Sequence, residues 1–108
     1  MKNKFKVELV TLIENEKNDN VDVYVTLPNG FKYVVTFFTL LNIAHLMKKW
    51  KETKELSGQY FWAHNMCIID NLNKETIISC INEMIENEDF KQIFMKVEPP
   101  HKPPEDTL

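Results

Sequence analysis

The chain reads as one α+β domain: a four-stranded, largely antiparallel sheet in the order β-β-β-α-β-α, with two helices packed on one face. Three observations predict it. Apolar residues alternate at period two through the first third of the sequence, Pro28-Asn29-Gly30 punctuates that alternation, and two later segments carry apolar stripes at helical spacing behind residues able to cap them.

Residues 5–13 open the sheet, with Phe5, Val7 and Leu9 on one side and Lys6 and Glu8 between them. The polar run 14–20 predicts a surface loop. Residues 21–27 give a second strand whose Val21, Val23, Val25 and Leu27 share a face. Pro28 presets φ and Asn29 and Gly30 tolerate positive φ, so the turn forms a hairpin. Residues 31–38 return antiparallel with Phe31, Tyr33, Val35 and Phe37 on the core side, leaving Tyr24 and Phe38 on the face away from the helices. Thr39 caps a helix with Leu40, Ile43, Ala44, Met47 and Trp50 in its stripe, widened by Leu41 and Leu46 and ended by Ser57-Gly58. Lys48, Lys49, Lys51 and Lys54 lie on its wet side, near the negative end of its dipole. A fourth strand is expected over 60–69, with a bulge at Ala63-His64-Asn65. Asn73 caps the second helix, whose stripe is Ile77, Ile78, Ile81, Met84 and Ile85, and a turn over 90–97 closes the core. The domain is taken as 1–98. The Pro-rich segment 99–108 lacks apolar periodicity and is expected to be an extended, mobile tail.

Composition narrows the function classes. At 108 residues, with 44% hydrophobic and 27% charged residues, the chain is long enough for one core without metals or disulfides. Lys6 and Glu8 interrupt the apolar start that a signal peptide needs, and no apolar stretch approaches the ~20 residues of a membrane span. Cys67 and Cys80 suit reduced, partly buried thiols, so the cytoplasm is the expected compartment. All thirteen basic residues are lysine, a usage that fits an AT-rich bacterial or phage genome. Without arginine the bidentate fork for phosphate and guanine is missing, and a net charge of −3 argues against nucleic acid as a partner.

Chemistry-bearing constellations are sparse. Two glycines cannot make a phosphate loop, and His45, His64 and His101 have no partner at metal-ligand spacing; no metal or cofactor is expected. Cys67 lies three residues from His64, which alone makes no zinc site, and a Cys67 nucleophile served by His45 or His64 is outweighed by a core role for the thiol. Glu83, Glu86, Glu88 and Asp89 gather at the end of the second helix, opposing its dipole. They read as a solvated face, with docking to a basic protein as the functional rival. Trp62 and His64 share one side of the fourth strand. Core packing is the expected role of Trp62, and an exposed interface anchor its rival.

The segments Val25-Thr-Leu-Pro-Asn-Gly-Phe-Lys-Tyr33, Thr36-Phe-Phe-Thr-Leu40 and Tyr60-Phe-Trp-Ala-His-Asn-Met66 together resemble small immunity proteins of bacterial polymorphic and contact-dependent toxin systems, over residues 5–97. The resemblance implies a protein that binds one cognate toxin domain and blocks it without catalysis. It assigns no binding residue by position. The resulting expectation is a non-catalytic protein-binding module, monomeric or homodimeric, whose partner-binding candidates are Glu83, Glu86, Glu88, Asp89, Trp62 and His64. Two alternatives stand beside it: a small enzyme or ligand-binding protein with a pocket near Trp62, His64 and Cys67, and a homodimeric structural protein of phage or mobile-element origin.

Overall fold

A computed structural model describes residues 5–97; the tail 99–108 lies outside them. The chain runs β1 (Lys6–Leu9), β2 (Asn20–Thr26), β3 (Lys32–Phe38), α1 (Leu40–Thr53), β4 (Met66–Ile68), α2 (Lys74–Glu86), α3 (Phe90–Ile93) and β5 (Met95–Val97). It is an α+β fold, as the alternation and the two stripes predict.

Strands β1, β2 and β3 form the expected antiparallel meander, with Val7 opposite Val25 and Val23 opposite Val35. The Leu27 carbonyl accepts from the Gly30 N–H at 2.9 Å, and the Leu27 N–H donates to the Phe31 carbonyl at 2.9 Å. Only Gly30 uses positive φ there, at 91°. Asn29 contributes through its side chain instead, accepting from the Phe31 N–H at 2.9 Å. Nothing lies within 4 Å of where a Gly30 Cβ would sit, so Gly30→Val is opposed by backbone strain alone. It should cost roughly 1–3 kcal/mol, read from the denaturant midpoint; an unchanged midpoint would contradict the turn geometry.

The far edge of β3 departs from the expected arrangement. Two short strands share it end to end. β5 pairs antiparallel with Lys32–Val34, and β4 pairs parallel with Thr36–Phe38. The sheet is therefore mixed. Helix α1 and the return segment 54–65 together form the crossover that brings Asn65 beside Thr36, from where β4 runs alongside β3 in the same direction. The segment 90–97, expected as a closing turn, supplies both α3 and β5. The fourth strand contracts from 60–69 to Met66–Ile68 because residues 64 and 65 turn, with Asn65 at φ 47°.

Alternation then decides burial. Val21, Val23 and Val25 of β2 and Tyr33, Val35 and Phe37 of β3 point to one side, where Ile69, Leu72, Ile77, Ile81, Phe90 and Phe94 close over them. Phe90 stacks on Phe94 at 4.3 Å and meets Tyr33 edge-on at 5.0 Å. The helices on this core are α2 and α3. Two expectations are corrected here. Phe31, assigned to the core side, is exposed with the Lys96 ammonium 3.8 Å over its ring. Helix α1, expected beside α2, contributes no residue to the core cluster.

The α1 stripe is covered only in part, and elsewhere: Ile43, Leu46, Met47 and Trp50 are half-buried, whereas Leu40, Leu41 and Ala44, expected in the stripe, are exposed. Phe38, alternating away from Phe37, meets Phe61 edge-on at 5.0 Å, and Phe61 stacks on Trp50 of α1 at 5.5 Å. This aromatic trio forms a second, smaller cluster under the return segment 54–65. Thr39 does cap α1, its hydroxyl accepting from the Asn42 N–H at 3.2 Å. Asn42 is the helix's one buried residue and is held by the Asn20 amide at 2.8 Å, which moors α1 to the start of β2. The helix ends at Thr53, before the expected Ser57-Gly58, with Lys54 in the left-handed region at φ 64°.

Candidate protein-binding surface

Residues 60–63 run extended without sheet pairing, and their burial alternates: Tyr60, Trp62 and His64 are exposed, and Phe61 and Ala63 are half-buried. Phe61 is the fixing element, wedged between Phe38 and Trp50. At the far end the Asn65 carbonyl accepts from the Thr36 N–H at 2.9 Å, joining the run to β3. The segment held at Phe61 and Asn65 thus presents Trp62, 65% exposed, to solvent, and Tyr60, next to the Phe61 anchor, is 54% exposed. The His64 ring stands edge-on to Trp62 at 6.4 Å. Trp62 is therefore not a core residue, and the expected core role is corrected. The strand pairing expected across 60–69 stops at the 64–65 turn, yet alternation counted back from core-facing Cys67 already places the indole on the outer side.

The acidic candidates occupy another part of the molecule. Glu83 and Glu86 belong to α2, Asn87 caps it, and Glu88 and Asp89 form the elbow into α3; all four carboxylates are exposed. The Glu88 N–H donates to the Ile85 carbonyl at 3.1 Å and the Asp89 N–H to the Met84 carbonyl at 2.9 Å. These are the paired bonds of a Schellman motif, with Glu88 at φ 67° in the position glycine usually takes. Asn73 caps the other end, accepting from the Glu75 N–H at 2.9 Å.

Trp62 and His64 stand in solvent, whereas Cys67 packs against the core opposite Phe37. Burial pushes the Cys67 thiol up, aided by the nearby Cys80. Burial likewise raises Cys80, with smaller contributions from Glu83 and Asp70. Raised thiol pKa values disfavour the reactive thiolate. Both thiols should label more slowly in the native protein than in denaturant, and a native rate at Cys67 matching the denatured one would contradict this packing. Because the folded values lie above the unfolded ones, the thiols' contribution to stability is complete below the unfolded pKa and is lost as pH rises through the folded pKa.

His45 is exposed on α1, and His101 lies outside the described residues. No group of three His, Cys, Asp or Glu side chains among the described residues is placed to hold a metal ion. No helix among them is long and apolar enough to cross a membrane. Sequence reasoning missed Tyr60, although it has the same parity as Trp62 and His64. It also missed a cavity of about 380 Å³ lined by Leu27, Ile85, Glu88, Phe90 and Lys91, which no sequence pattern signals because the hairpin and the elbow meet only in the fold. No protein-family model matches the chain, and neither a curated protein nor a solved structure matches it.

Proposed function

We propose that the protein is a non-catalytic protein-binding module whose partner is a toxin domain that it neutralises. The observation supporting a binding role is the anchored Tyr60–Trp62 run. Large aromatic side chains held out by a fixed backbone lose little conformational entropy on binding and dominate protein interfaces. The toxin as partner follows from the resemblance to immunity proteins. His64 lies within the same patch and adds a polar rim; the acidic elbow supplies a second contact for a basic toxin domain.

The test is binding to the product of a neighbouring gene. Trp62→Ala should weaken association by about 2 kcal/mol, the loss typical of an interface anchor, with the melting temperature unchanged because the indole supports no core contact. Equal affinity for the variant and the parent would remove Trp62 from the interface. Absence of any binding by neighbouring gene products would remove the immunity reading.

A further inference from the structure

We propose that the cavity between the β2–β3 hairpin and the α2–α3 elbow receives a lysine or arginine side chain of a protein partner. The partner as source rests on the binding-module reading; the chemistry of the cavity does not. At about 380 Å³ the cavity falls toward the small end of ligand sites, which span roughly 300–1,000 Å³. Its walls are apolar, from Leu27 at the end of β2, Ile85 of α2 and Phe90 of α3, and its charged residues are Glu88 and Lys91. Phe90 is fixed between Tyr33 and Phe94, so this wall is preformed. Apolar walls with charge beside them fit an amphipathic side chain, whose alkyl stem lies inside and whose charged head stays at the opening.

The sign of that head follows from the surroundings. In the lining Glu88 and Lys91 balance, and the flanking sequence adds Glu83, Glu86 and Asp89, so residues 83–91 together carry 1 − 4 = −3. The negative end of the α2 dipole arrives at the same elbow. Among the described residues, the one ion pair joins Lys32 to Glu8, so neither Glu88 nor Lys91 is paired with another of them. The Schellman bonds hold the Glu88 backbone in place beside the cavity, and Lys91 opposes the incoming cation and sets a limit on its affinity.

The probe is butylguanidinium, an arginine side chain carried through to its Cα carbon, titrated into the full chain while the methyl resonances of Leu27 and Ile85 are followed by NMR. Butyrate and butanol, with comparable apolar stems but different heads, are the controls. Saturable shifts with butylguanidinium, and none with butyrate, are expected. Glu88→Gln should weaken binding about threefold, in keeping with the loss of one exposed charge pair, and Lys91→Ala should tighten it by a similar factor. Equal shifts with all three probes, no shifts, or indifference to both substitutions would overturn the proposal. Butylguanidinium binding without any binding by neighbouring gene products would leave the cavity's cation chemistry standing and remove its assignment to a partner side chain together with the binding-module reading. The reverse result would overturn the cavity alone.

Discussion

Gly58→Ala should destabilise the protein by roughly 2–5 kcal/mol, combining left-handed backbone strain with overpacking against a helix. Gly58 is buried in the return segment at φ 77°. A Cβ there would lie 2.7 Å from the Lys51 Cβ and 2.7 Å from the Met47 carbonyl oxygen, both of α1. One of those atoms is backbone and the other is the root of its side chain, so neither can swing aside, and the return segment must lift off the helix. Lifting it withdraws Phe61 from Phe38 and Trp50, which hold the Tyr60–Trp62 run. The variant should therefore show a lower denaturant midpoint and, beyond its stability loss, weaker partner binding. An unchanged midpoint would mean that the segment does not lie against α1.

Phe37→Ala should cost about 3–5 kcal/mol, the range for truncating a buried aromatic. Phe37 has no solvent exposure, sits opposite Val21 and Cys67 in the sheet, and meets Phe94 edge-on at 6.3 Å. Its ring joins the sheet to the α3 region, so the remaining cavity has rigid walls on both sides. A domain stable by only ~5–15 kcal/mol will melt far lower after that loss. Phe38→Ala is the informative neighbour, since its ring opens the α1 cluster on the opposite side. If Phe37→Ala altered α1 while sparing the α2 core, the assignment of faces would be reversed.

How much of this was legible depended on whether local chemistry or long-range pairing made the decision. The valines of β2 specified their own face because period two admits only one way to bury them. Thr39 and Asn73 specified helix starts because capping is satisfied within three residues. The α1 stripe foretold a covered side, but only its half-buried part is covered: Phe61, eleven residues beyond Trp50, stacks on that ring, while Leu40 and Leu41 stay exposed. The parallel pairing of β4 and the insertion of β5 along the lower half of β3 depend on chain return, which leaves no mark on composition. In the candidate surface, Trp62 and His64 were visible as residues, and their exposure follows the alternation that buries Ile69 and half-buries Cys67, Ala63 and Phe61, which the core role expected of a tryptophan set aside.

The central claim, that Trp62 is a solvent-facing anchor which a protein partner covers, is tested most directly by the fluorescence of a Trp50→Phe variant. The chain contains two tryptophans, so this substitution leaves Trp62 as the sole reporter and keeps an aromatic ring against Phe61. The free variant should emit at the long wavelengths of a hydrated indole and be quenched readily by iodide. Adding the neighbouring gene product should move the emission to shorter wavelength and protect it from iodide. A blue-shifted, protected Trp62 in the free protein, or a complex in which it remains as red and as quenchable as before, would contradict the account.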